Sequence, residues 1–287
     1  MSTDLSKYHF YRALRPFSFP VALMACLVGI ASAYAEGYWL PLNVLLILLA
    51  GVLLQAGVNL INDYADLKLL PEHQNAKMQL ACRRIHNNFR FGLVCFLLAA
   101  LIGLYLVSVT GLPLLWISLV GLIGALGYTL APIHYKNRGL GVVMVFWLMG
   151  VLMITGSYLA AGAPFDVRIV WLSLPLSCLV ALLLLSNELR DYESDCADDL
   201  RTLTVRIGYE RAVRLYLVLL SAALLITLGL RLAGYINLIW PLAGVILLIP
   251  QPFRLLSSHV MKRKALTPAT ARLLLGFGLV FSVLLLQ

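Results

Sequence analysis

A polytopic bundle of membrane-spanning helices is the fold class this sequence predicts, and three observations predict it. Of 287 residues, 61% are hydrophobic and only 12% charged, about half the charged share of an ordinary soluble domain. The mean hydropathy is +0.91. The apolar residues fall in continuous runs of bilayer length, about 20 residues per helix, without the period-two alternation of a transmembrane barrel. Together these exclude a soluble enzyme, a secreted disulfide scaffold and a disordered chain. The five cysteines (Cys26, Cys82, Cys95, Cys178 and Cys196) have no CxxC or metal-ligand spacing and read as reduced packing residues.

The first apolar run, 17–36, follows a polar, basic amino end, MSTDLSKYHFYRALRPFSFP. That end reads as the flank of an uncleaved first helix, with no cleavable signal peptide. Further runs at 41–61, 89–109, 113–131, 139–162, 168–187, 209–231, 235–256 and 268–287 bring the expected spans to nine. Gly111–Pro113 and Gly162–Pro164 mark tight turns, whereas the alternate breaks are long and polar. With the amino end in the cytoplasm, 20 of the 22 Lys and Arg lie in inside segments, leaving only Arg168 and Arg231 outside. The positive-inside rule therefore predicts a cytoplasmic amino end and an external carboxyl end. In a bacterium that membrane would be the inner one. A single transmembrane domain is expected over 1–287.

Nine of the thirteen acids sit in two clusters. Asp63, Asp66 and Glu72 follow the second expected span; Glu188, Asp191, Glu193, Asp195, Asp198 and Asp199 follow the sixth. Both clusters fall on the cytoplasmic side of the expected topology. The segment NLINDYAD places Asn59, Asn62, Asp63 and Asp66 at i, i+3, i+4 and i+7, and NELRDYESD places Asn187, Asp191 and Asp195 at i, i+4 and i+8. Each set lies on one face of a helix leaving the membrane. The shared Asn-x-x-x-Asp recurs 128 residues apart, a hint of a duplicated helical unit.

Carboxylates crowded on one helix face at a membrane boundary repel unless a cation lies between them. Asp and Asn oxygens suit Mg²⁺, a hard ion commonly shared with substrate phosphates. Two such faces turned toward each other would hold Mg²⁺ bridged by a diphosphate. Lys136, Arg138, Arg190 and Arg201 are placed to neutralise the remaining charge. Solvated helix-end residues are the bland alternative, and the pairing of two matched sets on one side argues against it.

These residues carry a resemblance. The chain resembles the UbiA-type intramembrane prenyltransferases, and most of all the branch that prenylates 1,4-dihydroxy-2-naphthoate in menaquinone synthesis. The similarity runs from LRPFSFP to about residue 214, through NLINDYAD (59–66), YTLAPIHYKNRGLG (128–141), GSYL (156–159), and NELRDYESD with RTLTVRIG (187–208). It implies nine helices around a central cavity and two Asp-rich motifs that bind a polyprenyl diphosphate through Mg²⁺. In that pattern Asn62, Asp63 and Asp66 match the first motif, with Asn59 before it; Asn187, Asp191 and Asp195 match the second; and Lys136 falls where a basic residue contacts diphosphate. The implied reaction ionises the allylic diphosphate, and the acceptor ring attacks the carbocation. Tyr128, Tyr64 and Tyr192 are candidates to stabilise that cation through a ring face, or simple interface anchors.

The chain departs from the family pattern at Leu70, Val142 and Leu200, where relatives carry acids or a basic residue. The minimal metal set is spared, and the acceptor identity stays open. Alternatives are another aromatic or lipid acceptor, a non-catalytic lipid-binding relative, and a transporter; the last would place acids near mid-span rather than at span ends. His73, His86 and His134 have no paired ligand spacing, and Gly121, Gly124 and Gly127 read as helix-packing positions. The Lys262–Lys264 run reads as a topology signal touching anionic headgroups. No P-loop, GxGxxG or zinc motif is present, and the dispersed cations argue against nucleic acid.

Overall fold

The computed structural model describes residues 5–64, 67, 76–129 and 135–286. Within them the chain is built of helices and turns. In order they are α1 (Phe10–Leu14), α2 (Phe19–Ala35), α3 (Pro41–Asn62), α4 (Ala76–Thr110), α5 (Leu112–Thr129), α6 (Gly141–Val145), a π-helical stretch Phe146–Leu152, and α7 (Met153–Ala160). Then follow α8 (Val167–Arg190), α9 (Tyr192–Ala197), α10 (Leu203–Ile207), α11 (Tyr209–Leu232), α12 (Ala243–Ile246), α13 (Pro250–Leu256), α14 (Val260–Arg263) and α15 (Leu266–Leu285). Proline opens α2, α3 and α13 at the position where its missing N–H has no helical partner to lose. Asp166 caps α8 by accepting the Arg168 backbone N–H at 2.8 Å.

Among the described residues seven stretches are long and apolar enough to cross a membrane, and Leu112–Gly127 and Trp240–Leu256 are shorter apolar helices. Seven spans thus stand where nine were expected, the other two apolar segments forming only these shorter helices. The expected turns at Gly111 and Gly162 are present, with φ of 99° and 104°, a left-handed conformation that glycine adopts without steric cost. The helix expected from residue 89 instead begins at Ala76.

The hydrophobic core centres on α2 and α8. Their span windows are 65% and 78% buried, against 22% for α4, so α4 is a peripheral helix and its apolar outer face meets lipid. Helix α2 packs on α7, α15, α3 and α8, while α8 packs on α11, α15, α6 and the π-helical stretch. Two crossings are as close as backbones allow. At Gly29, an added Cβ would lie against the Ile154 carbonyl and 2.8 Å from the Ser157 Cβ. At Gly92, it would lie 3.1 Å from the Gly57 carbonyl of α3. Such small-residue contacts substitute for the hydrophobic drive that lipid does not supply between helices.

The bundle also fixes which helix ends share a face. Glu36, just before α3, approaches Arg168 at the start of α8 within 3.9 Å. Helices α3 and α8 therefore start at one end of the bundle and run parallel. With 22 and 24 residues, they extend roughly 33 and 36 Å, so they also finish at similar depth. Both pack against α2 and α7. The starting end carries its own polar cluster: Tyr158 donates to Glu36, and Arg168 pairs with Asp166 at 2.6 Å. Those Arg168 hydrogen bonds hold the Asp166 carboxyl below its ordinary range.

Candidate active site

The finishing ends of α3 and α8 carry the two Asn/Asp sets. On α3, Asn59, Asn62 and its C-terminal neighbour Asp63 are all buried, at 6%, 6% and 4% exposure. Buried carboxylate and amide groups need partners, and the partner is one that sequence reasoning missed. Arg15 donates to Asp63 Oδ1 at 2.9 Å. With its amide oxygen facing the guanidinium, Asn62 accepts from both terminal nitrogens of Arg15 at 2.7 and 3.1 Å. Arg15 has a φ of 49°, a left-handed conformation costing a non-glycine residue about 1–2 kcal/mol. The only signals of its role in the sequence are its place beside Pro16 and its position one turn before the first span.

Asn59 has a different task. Its amide nitrogen donates to the Leu14 carbonyl at 2.7 Å and to Ser18 Oγ at 2.8 Å, and its oxygen accepts from Gln55 at 3.2 Å. Both amide atoms are thus engaged in fastening the amino-terminal segment to α3. Replacing Asn59 by Ala should cost about 1–2 kcal/mol through the buried groups left unpaired. The measurable outcome is a lower melting temperature in detergent together with earlier tryptic cleavage at Arg12.

On α8, Asn187, Arg190 and Asp191 occupy the last turn. Arg190 grips the adjacent Asp191 with two bonds, 2.8 Å to Oδ1 and 2.5 Å to Oδ2, and reaches Thr267 of α15 at 3.4 Å. Asp195 on α9 lies within the Coulomb field of the same guanidinium and accepts from Thr202 at 3.5 Å. The Asn187 side-chain oxygen is buried and has no hydrogen-bond partner among the described residues. An orphaned buried oxygen is expensive and is what a cation ligand looks like before its ion is bound. Each Asn/Asp set therefore already faces a positive charge.

The remaining acids of the second cluster divide by role. Glu188 accepts the Thr204 backbone N–H at 2.9 Å and its hydroxyl at 3.1 Å, tying α8 to α10. Glu193 pairs with buried Arg263, whose guanidinium lies 4.6 Å from the Tyr209 ring centroid. Asp198 and Asp199 are exposed. Sequence spacing alone does not separate these anchoring acids from Asp191 and Asp195.

The loops that carry Arg138 and Arg201 pack on one another. At Gly139, with a φ of 73°, an added Cβ would stand 2.5 Å from the Arg206 side chain and 3.6 Å from the Arg201 carbonyl. Arg206 in turn donates to that carbonyl at 3.0 Å. The turn Tyr135–Arg138 is thereby seated beside the 201–206 segment, bringing Arg138 and Arg201 to one region. Asp66, Leu70, Glu72, His73 and His134, and the side chains of Lys136 and Tyr128, lie outside the described residues. Among those described, no three His, Cys, Asp or Glu side chains group to hold a metal. The donor set instead mixes carboxylates with the Asn62 and Asn187 amides, all hard oxygens of the kind Mg²⁺ takes.

This geometry can be set beside known proteins. The model of the UbiA prenyltransferase family matches residues 22–267. The chain belongs to the UbiA prenyltransferase family. Members of that family are membrane-bound enzymes, and this prenyltransferase shares their all-helical architecture. It is 30% identical over 235 residues to a 1,4-dihydroxy-2-naphthoate octaprenyltransferase of Mycobacterium leprae, covering 76% of each chain. It is also 30% identical over 283 residues to UbiA prenyltransferase domain-containing protein 1 of Rattus norvegicus, covering 95% of this chain and 82% of that one. A UbiA homolog from Archaeoglobus fulgidus bound to GPP and Mg²⁺ has the same fold, with a TM-score of 0.56, 16% identity, and coverage of 96% and 86%.

Proposed function

We infer that this prenyltransferase moves a polyprenyl group from an allylic polyprenyl diphosphate to 1,4-dihydroxy-2-naphthoate, with Mg²⁺ as cofactor. The observation that carries the reading is the parallel run of α3 and α8, which brings two Asn/Asp sets to the same end of the bundle. Relatives named for the naphthoate reaction support the acceptor.

Asn62, Asp63 and Asp66 on one side, and Asn187, Asp191 and Asp195 on the other, would hold Mg²⁺. When bound, the ion neutralises charge that builds on the leaving diphosphate. The protein's own groups do the rest. Arg15 and Arg190, now seated on Asp63 and Asp191, are positioned to turn to phosphate oxygens once those carboxylates have another cation to face. Arg138, Arg201 and Lys136 add positive charge from the neighbouring loops. Burial of Asn62 and Asp63 keeps water from the allylic cation; of the tyrosines the sequence offered for that cation, Tyr64 packs on Phe89 at 4.3 Å and Tyr192 on Tyr209 at 5.5 Å. The electron-rich acceptor ring attacks that cation at the carbon bearing carboxylate, which leaves as CO₂. The prenyl tail stays in the hydrocarbon. We place the site and the amino end in the cytoplasm and the carboxyl end outside, on the distribution of Lys and Arg.

Purified protein given Mg²⁺, a polyprenyl diphosphate and a panel of acceptors tests the reading. Diphosphate release and a decarboxylated prenyl naphthoquinol are expected, and a chelator should stop both. A product formed on 4-hydroxybenzoate or a glycerol lipid in place of the naphthoate would reassign the acceptor. Failure to release diphosphate with every acceptor would leave a lipid-binding protein instead of an enzyme.

A further inference from the structure

A second feature has a lining that includes no residue of the two Asn/Asp sets. Between the amino-terminal segment and α4 is a cavity of about 290 Å³, lined by His9, Phe10, Arg84, Asn87, Asn88 and Phe91. Its walls are fixed. Tyr8 is 1% exposed and packs with Ala81 and Ile85 in a small core of its own, and Asn88 donates to the Tyr8 carbonyl at 3.0 Å. Phe10 and Phe91 close one side as an edge-to-face pair 5.5 Å apart.

The lining is divided by chemistry. His9, Arg84, Asn87 and Asn88 form a cationic, hydrogen-bonding pole; Phe10 and Phe91 form an apolar one. Helix α4 carries no acid anywhere in its 35 residues, and residues 5–18 carry none. Arg84 has no ion-pair partner among the described residues. Below the cavity the same face of α4 continues, at helical spacing, through Phe91, Val94, Leu98 and Leu101, each 45–56% exposed. From Phe91 to Leu101 the helix rises roughly 15 Å, the depth of one leaflet of hydrocarbon. A volume near the lower edge of the roughly 300–1,000 Å³ range of small-molecule sites suits a headgroup whose chains continue outside.

We propose that this cavity binds the headgroup of an anionic phospholipid, its phosphate on Arg84 and His9 and an acyl chain along Phe91–Leu101. Its lining shares no residue with the Asn/Asp sets, and the proposal is independent of the acceptor reading. The polar pole at the membrane boundary, the apolar track beneath it and a lining without carboxylates among the described residues match an anionic lipid and disfavour a zwitterionic one.

The test uses the full chain in phosphatidylcholine nanodiscs titrated with phosphatidylglycerol, with bound lipid read by native mass spectrometry. Selective retention of phosphatidylglycerol is expected. Arg84→Gln should weaken it about tenfold, the loss of one charge-assisted contact, and Arg84→Lys should recover most of it. Melting temperature and diphosphate release in pure phosphatidylcholine should be unaltered in both variants. Equal binding of the two lipids, or phosphatidylglycerol binding unmoved in Arg84→Gln, overturns the proposal. So does displacement of phosphatidylglycerol by geranyl diphosphate, which would give the cavity to the isoprenoid substrate.

Discussion

Asp63→Asn and Asp191→Asn are each expected to lower diphosphate release by about a thousandfold, the scale on which removing a preorganised charge acts on a transition state. Asparagine keeps the size of the side chain and still accepts from Arg15 or Arg190, which now lie 2.9 Å and 2.5 Å from the two carboxylates. It removes the negative charge a divalent ion requires and turns one acceptor oxygen into an NH₂ donor, so Arg190 keeps one of its two bonds to residue 191. Helicity and elution volume should therefore match the parent while the rate collapses. Raising Mg²⁺ should recover part of the activity if the loss is one of ion affinity. Full rate in both variants would remove the metal assignment and return Asp63 and Asp191 to the status of ion-paired helix ends.

The second large effect is on folding. Gly29→Leu places a side chain where α2 meets the backbone of α7: the Ile154 carbonyl, the Ser157 Cβ at 2.8 Å and the Tyr158 nitrogen at 2.9 Å. Backbone cannot swing aside as a side chain can. The substitution should cost at least about 3 kcal/mol, the upper end of ordinary overpacking, because the two helices must separate along their contact. Loss of the monodisperse peak in detergent is the expected readout. Gly103→Leu is the matched control, since a Cβ at Gly103 meets nothing within 4 Å. Equal stability of the two variants would show that the α2–α7 crossing is soft.

Hydropathy made most of the fold legible, because a bilayer punishes an unpaired backbone group so heavily that apolar length nearly dictates helix. It saw less at two kinds of place. The start of α4 at Ala76 belongs to a polar extension, KMQLACRRIHNNFR, that packs through Ala81 and Ile85, and an apolar window passes over it. The 235–256 run has apolar length, but Pro241, Pro250 and a turn before α13 divide it into short pieces. Pro175, by contrast, sits inside α8 without ending it, since its neighbours are buried protein. The π-helical stretch, set against Ser177 of α8 at Gly150, has no periodicity that composition reveals.

The candidate site was legible as a set of oxygens but not as a set of partners. Asn187 stands out by its spacing, and its buried oxygen lacks a bond among the described residues. Asn59 has the same spacing signature but is taken up by Leu14 and Ser18. Arg15 could not be found from helical periodicity, since it reaches Asp63 across 48 positions of sequence. Ion pairs across such separations are set by tertiary packing, which one sequence does not print.

The fastening of residues 8–18 to α3 and α4 has a consequence for biogenesis. Asn88 holds Tyr8 across 80 positions, so this clasp is incomplete until the third long hydrophobic segment has left the ribosome and entered the bilayer. Until then Asp63 lacks the support that places Arg15 against it. A nascent chain arrested before that point should leave its first arginines open to protease, and full-length release should close them.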